Sequence, residues 1–499
     1  MRPLANETGR CDLLLRGGTV IDGTGAAPRR ADLAISGARI VAIGALEGLR
    51  AEETLDATGL AVAPGFIDIH THDDLVLLSG PAMEAKTSQG VTTVVTGNCG
   101  VSLAPVLPEG PLPDTFHLLG QADDFRYPDF ATYLEALDSR PAAVNAVTLV
   151  GHSTLRLAEM SSLERAATPE EIAAMQQRLV QALEAGAAGF SSGLYYKTSR
   201  AAPTEEVVAL AATMRGRMGL YATHMRDEAD GVEDSIEETL RIGREAEVPV
   251  LISHHKLIGP RNFGRSVKTL ARIEKAMRTQ RVALDVYPYA AASTVLIPER
   301  CDGSIRVWVT WSKAHPDQAG RDVAAVAADW GCSQREAAER LLPAGAIYFM
   351  LDEADVRRIM AFPHTMIGSD GLQNDSHPHP RLWGTFPRVL GHYARDLGLL
   401  TLEDAVRRMT ALPASCLGLE DRGVLREGAF ADIVVFSPET VIDRASFEAP
   451  TRASDGIVAV LVNGCPVFSA GAATGERPGR VLRRGSAGRS RPQTTWAAQ

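Results

Sequence analysis

The chain has no CxxC pair, no run of about 18 uninterrupted apolar residues and no excess of basic charge, and each absence removes a class of protein. Its six cysteines, Cys11, Cys99, Cys301, Cys332, Cys416 and Cys465, stand singly in 499 residues. Small secreted domains instead pack cysteines into a dense disulfide framework, so these six are read as reduced thiols. The opening segment MRPLANETGRCDLLLRGG lacks the apolar core of an export signal, and a cytoplasmic location is the expectation. With a net charge of −10, neither nucleic acid nor an anionic membrane is an expected partner, because phosphate binding needs concentrated Lys and Arg. A small-molecule substrate is expected in their place.

What is present is the apolar and charged mixture of a folded protein, 45% hydrophobic and 22% charged. The length exceeds a single core and leaves room for a barrel of roughly 250 residues beside a second unit. Residues 12–63 alternate apolar and polar positions between glycine turns, as half-buried antiparallel strands do. The same pattern returns in GVLREGAFADIVVFSP and GIVAVLVNGCPVF, so the two chain ends are expected to pair into one small β-sandwich domain, residues 1–63 with 416–479. Between them, apolar runs such as TTVVTG, AVTLVG, GLYATH, PVLISH, VALDVYPY and TMIGSD alternate with longer helical stretches. Repeated β-then-α order implies a parallel sheet, here a (β/α)8 barrel of the TIM type over residues 64–415. One helix is explicit: Thr168 can cap it, Pro169 sits in its first turn, and Ile172, Met175, Leu179 and Leu183 form its apolar stripe. Residues 291–345 show no clean strand and carry Trp308 and Trp311, which marks an insertion near the strand ends and a candidate lid. The stretch 480–499, rich in Arg, Ser and Gly, is expected to be a disordered tail.

The chemistry concentrates at the ends of the strand-like runs. PGFIDIHTHDD places His70 and His72 two apart, so on a strand both imidazoles would leave one face. Cys99 follows TTVVTGN, His224 ends GLYATH, His254 follows PVLIS, and Asp370 ends TMIGSD. Each has an ordinary alternative, since Cys99 could be a small buried apolar residue, the histidines hydrogen-bonded core residues and Asp370 a turn cap. Strand ends in a barrel converge on one cleft, however, and nitrogen with thiolate donors suits zinc better than magnesium or calcium. His255 would face away from the His254 side of its strand and is left out.

The segments PGFIDIHTHDD, TGNCGVSLAP, GFSSGLYY, THMRDE, ISHHK and IGSDG followed by HPHPRLWGTFPRVLG resemble those of the D-aminoacylases, N-acyl-D-amino-acid deacylases of the amidohydrolase superfamily. The resemblance covers nearly the whole chain and is weakest over residues 291–320 and in the tail. It implies a tightly bound catalytic Zn²⁺ on Cys99, His224 and His254, and a weaker second site on His70 and His72 that shares the Cys99 thiolate. Cys99 stands where many relatives bridge two metals with a carboxylated lysine. A zinc carrying one thiolate and two neutral imidazoles keeps a formal charge of only +1, so a protein base should help it ionise water. The resemblance gives that role to Asp370, as general base and then acid. It further implies Tyr196 as oxyanion donor, with Tyr195 the neighbouring alternative, and Lys256, Tyr287, Ser293 and Arg381 as the set that holds the substrate α-carboxylate.

The expected reaction is hydrolysis of an N-acyl-D-amino acid to a carboxylate and a free D-amino acid, and the preference for D substrates comes from the resemblance alone. The resemblance implies that residues 296–305 and 348–350 border the side-chain pocket. Arg300 and Asp302 make that wall more polar than a purely hydrophobic pocket requires, and Arg300 supports N-acyl-D-glutamate or N-acyl-D-aspartate as a close variant. A cyclic-amide hydrolase would resemble a two-metal site bridged by lysine, and a non-enzymatic scaffold of the same fold would have lost its ligand residues.

Overall fold

The computed structural model describes residues 10–217 and 219–483. Eight parallel strands form its centre: Phe66–Asp68, Val91–Thr96, Asn145–Gly151, Gly189–Gly193, Leu220–His224, Val250–Ile252, Val282–Val286 and Thr365–Ile367, each beside the next in chain order. Every residue of these strands is buried, which is why they read as apolar runs rather than as alternations. Alternate residues nevertheless part company. Val147, Leu149, Leu220, Ala222 and Leu251 fill the barrel interior, whereas Val150, Phe190, Tyr221 and Ile252 pack outward against the helices. The helix Ala411–Leu417 closes one end of that interior with Ala414, Cys416 and Leu417.

The expected barrel is therefore present, and the helix Pro169–Ala185 shows how its outer layer is specified. Thr168 accepts from the Glu171 backbone while the Glu171 side chain reaches back to Thr168, and Met175, Leu179 and Ala182 are buried. His255 turns away from the barrel mouth to meet Thr269 at 2.9 Å.

The first and eighth strands have no continuous ladder between them. Their ends are joined by a bridge between Thr71 and Gly371 and by Asp370 N–H donating to His70 O at 2.8 Å. A buried ion cluster reinforces this seam. Lys86 Nζ lies 2.8 Å from both Asp68 Oδ2 and Ser369 Oγ, and 3.4 Å from Asp73 Oδ2, with all three charged groups sealed from solvent.

The two chain ends meet where Ala61–Pro64 pairs antiparallel with Ile433–Phe436, joining a nine-stranded sheet that runs from Arg39–Gly44 to Ala472–Ala473. Leu15, Leu33, Ile35, Ile433, Val435 and Leu461 form its core. Residues 480–482, within the expected tail, hydrogen-bond to Ala146 through Arg480 O and Leu482 N; the tail from residue 484 lies outside the described residues.

The insertion differs from the sequence reading. Ala292–Val295, Arg306–Ser312 and Ala344–Phe349 form an antiparallel three-stranded sheet between the seventh and eighth barrel strands. The strand Arg306–Ser312 escapes a search for alternation because both of its faces are covered, with Val307, Trp308, Val309 and Thr310 buried in succession. Among the described residues no helix is long and apolar enough to cross a membrane.

Candidate active site

The barrel brings the strand-end residues to one point. His224 closes the fifth strand on the same interior parity as Leu220 and Ala222. His70 and His72 lie past the end of the first strand at Asp68. Because Ile67 and Ile69 already occupy the interior parity, a strict pleat would send His70 outward, and it is the turn beyond Asp68 that aims it at the mouth. Cys99, His254 and Asp370 all have left-handed backbone, with φ of 53°, 35° and 50°. This region is uncommon for residues with a side chain and costs on the order of 1–3 kcal/mol. Tight packing holds the Cys99 turn in place: a Cβ on Gly193 would sit 2.1 Å from Cys99 O, so the fourth strand must offer glycine where the turn passes.

Cys99 Sγ is the hub. It lies 3.3 Å from His70 Nε2, 3.3 Å from His254 Nε2 and 3.8 Å from His224 Nδ1. Asp370 Oδ1 lies 3.2 Å from His72 Nε2 and 3.5 Å from His70 Nε2. Donor atoms of His70, Cys99, His254 and Asp370 all fall within 4.8 Å of one another. Burial opposes ionisation of Cys99, but His70 and His254 outweigh it and hold the thiol well below its ordinary range. Asp370 is likewise held well below the carboxylate range against burial, chiefly by Arg381. Two buried anions thus demand positive charge here; burial works against a charged His72, yet Asp370 and Cys99 raise it to about 9. Imidazoles can meet that demand with protons, or give the protons up to a divalent cation. A thiolate with several imidazoles fits zinc.

Behind these residues stand two acids that sequence reading did not assign. Glu228 places Oε1 3.2 Å from His254 Nδ1 and Oε2 3.4 Å from His224 Nε2, and Lys256 Nζ lies 2.6 Å from Oε1. Asp285 Oδ1 lies 3.7 Å from His70 Nδ1. The available signals were an acid four residues beyond His224 in THMRDE and a carboxylate inside the apolar run VALDV.

The residues expected to hold the substrate carboxylate divide. Lys256, Tyr287 and Ser293 line a cavity together with His72, His224, His254 and Asp370, but Arg381 is not among its lining residues. Arg381 sits behind Asp370, with Nη2 2.9 Å from Asp370 Oδ2 and 3.1 Å from Ser293 O, and its guanidinium 4.5 Å from the Tyr287 ring centre. Its Nε and Nη1, like the Tyr287 hydroxyl, are buried without a hydrogen-bond partner among the described residues. Lys256 is already engaged by Glu228, and Ser293 Oγ donates to Ala346 O at 3.2 Å.

Tyr195 and Tyr196 both line the cavity. The Tyr196 hydroxyl meets Thr294 Oγ1 at 3.1 Å, and the Tyr195 ring stacks on His224 with centroids 5.4 Å apart. Leu118, Met350 and Leu372 supply apolar wall, and Arg300 enters it as a cation. The Arg300 guanidinium lies 5.1 Å from the Tyr195 ring centre and 5.5 Å from that of Tyr348, with Met350 Sδ at 3.7 Å and no carboxylate in salt-bridge range among the described residues.

Residues 53–468 match the Amidohydrolase family. D-aminoacylase of Alcaligenes xylosoxydans xylosoxydans is 55% identical over 476 residues, 95% of this chain and 98% of its own. A D-aminoacylase structure concerned with the functional role of its binuclear metal centre superposes with a TM-score of 0.93 at 53% identity, covering 95% of this chain and 100% of that one. N-acyl-D-glutamate deacylase from Bordetella bronchiseptica, solved with zinc and a phosphonate mimic of the tetrahedral intermediate, superposes with a TM-score of 0.92 at 51% identity over the same shares.

Proposed function

The chain belongs to the amidohydrolase family, and from that premise we propose that it is a zinc-dependent hydrolase of N-acyl-D-amino acids, releasing a carboxylate and the free D-amino acid. The observation that carries this reading is the meeting of Cys99, three of the histidines and Asp370 around one point at the mouth of the barrel. Cys99, His224 and His254 would hold the catalytic zinc, and His70 and His72 a weaker second ion that shares the thiolate. When bound, zinc supplies Lewis acidity for the amide carbonyl and for the attacking water.

The remaining chemistry belongs to this chain. Arg381 engages Asp370 Oδ2, which leaves Oδ1 as the oxygen facing the histidines and keeps the carboxyl ionised at the start of turnover. Oδ1 would take the proton of the attacking water and deliver it to the leaving nitrogen as the C–N bond breaks. The Tyr196 hydroxyl would turn from Thr294 to the developing oxyanion. Lys256, Tyr287 and Ser293 would meet the α-carboxylate from the cavity wall, and Arg381, which stands behind Asp370, would have to bring its Nε or Nη1 forward to join them. With amide and carboxylate both anchored, only one direction is left for the side chain, and this selects one enantiomer.

Amine release from N-acetyl-D- and N-acetyl-L-methionine, N-acetyl-D-glutamate and a hydantoin tests the reading on zinc-loaded protein. Cleavage confined to the D-acyl substrates is expected; hydantoin opening alone, or no cleavage at all, overturns it.

Arg300 favours a second reading, an acidic side chain on the D-amino acid, because it is a cation in the cavity wall with aromatic rather than anionic neighbours. A charge-assisted contact of about 1.5–3 kcal/mol corresponds to roughly 10–150-fold in kcat/KM. Arg300→Met should therefore lower kcat/KM for N-acetyl-D-glutamate by that factor and leave N-acetyl-D-methionine within about threefold. Equal losses on both substrates would remove Arg300 from side-chain selection.

A further inference from the structure

The two histidines that flank Cys99 beside the cavity are oriented in opposite senses, and one carboxylate accounts for both. His224 presents Nδ1 to Cys99 Sγ and turns Nε2 toward Glu228 Oε2. His254 presents Nε2 to Cys99 Sγ and turns Nδ1 toward Glu228 Oε1. We propose that Glu228 is the positioning residue of the metal centre: its oxygens stand within ion-pair range of His224 Nε2 and His254 Nδ1, and in the metal-loaded protein they would accept N–H from both, leaving a lone pair of each ring directed at the Cys99 thiolate side. The proposal rests on the zinc reading above.

Local structure holds Glu228 where this requires. The preceding residue, Asp227, accepts from Ala229 N at 2.6 Å and from Gly231 N at 3.0 Å, which fixes the turn before the helix Val232–Ala246. Glu228 O accepts from Ile258 N at 2.9 Å, tying the turn to the chain beyond Lys256. The Glu228 side chain is buried in the cavity wall.

Glu228, His224 and His254 could in principle be a metal site themselves, since their donor atoms cluster closely. Lys256 argues against it. Its ammonium lies 2.6 Å from Glu228 Oε1 and 2.7 Å from His254 Nδ1, so a cation of the protein already occupies that side. The same contact creates a competition. Lys256 donating to His254 Nδ1 would force the proton onto Nε2, which faces Cys99 and would block a metal there. Glu228 accepting from Nδ1–H gives the opposite tautomer, the one that can ligate. Removing Glu228 leaves Lys256 as the neighbour of Nδ1 and favours the blocking form.

The experiment is zinc affinity measured by competition with a chromophoric chelator on the full chain, for wild type, Glu228→Gln, Glu228→Ala and Glu228→Ala combined with Lys256→Met, with thermal unfolding of each metal-free protein alongside. Loss of such an outer partner weakens metal binding by roughly 10–100-fold, and both single variants should show a loss in that range. The double variant should bind more tightly than Glu228→Ala, because the donor that favours the blocking tautomer is gone. Wild-type affinity in a folded Glu228→Gln protein, with only a lowered unfolding temperature, would reduce Glu228 to a structural role and overturn the proposal. If Glu228→Ala does not fold, Glu228→Gln decides alone, since it keeps the side chain's size. Should the wild-type protein itself bind no zinc, the proposed function fails at its first step, an outcome distinct from a wild type that binds and a variant that binds equally well.

Discussion

Replacing Asp370 with alanine is expected to lower kcat on an N-acyl-D-amino acid by about 10²–10⁴-fold, the usual range for losing a positioned acid–base group. The expectation follows from what surrounds the carboxylate. Oδ1 faces His70 and His72, Oδ2 is engaged by Arg381, and no other described carboxylate shares the donor cluster of Cys99, His70 and His254. The same substitution strips the buried Arg381 of its anion, which costs stability as well as catalysis, since half of a broken buried pair is typically worth about 3–5 kcal/mol. The two effects separate in the measurement. Single-turnover rates on protein shown by near-ultraviolet circular dichroism to be folded report the chemistry, and denaturant midpoints report the pair. A folded, zinc-loaded Asp370→Ala protein that turns over within tenfold of wild type would remove Asp370 from the proton path.

Lys86→Met is expected to destabilise the fold by about 3–5 kcal/mol in urea unfolding, although Lys86 does not line the cavity. Its ammonium compensates Asp68 and Asp73, both sealed from water. Burial and the Asp68 charge already push the Asp73 carboxyl above its ordinary range with Lys86 present. Without Lys86, two buried carboxylates would face each other at the seam where the barrel has a bridge in place of a full ladder. Activity should fall too, because Lys86 also donates to Ser369, the residue before Asp370. A change below about 1 kcal/mol would show that the cluster is not what closes the barrel.

Much of this architecture can be read before folding. The apolar runs with chemistry at their ends mark the barrel strands, and the cap at Thr168 followed by the stripe Met175, Leu179 marks the helix found at Pro169–Ala185. Strand pairing at the chain ends follows from the repeated β pattern. The strand Arg306–Ser312 was not legible, because burial on both faces erases the alternation that signals a half-covered sheet.

The site shows the same division. His70, His72, Cys99, His224, His254 and Asp370 stand out because their residue types and strand-end positions are local facts, visible without knowing what faces them. Arg381 was legible as a cation near Asp370 in sequence, but its place behind that carboxylate and away from the cavity wall was not. Glu228 and Lys86 are not legible for the same reason: an acid in a turn and a lysine in a short helix look like exposed charges until distant segments bury them. By itself the sequence determined which donors this protein has and that they lie at strand ends. Tertiary structure alone decided which polar groups meet, because pairing across 28 residues from Glu228 to Lys256, or 283 from Lys86 to Ser369, depends on the closure of the barrel. Local periodicity reports burial and carries no information about a partner that far along the chain.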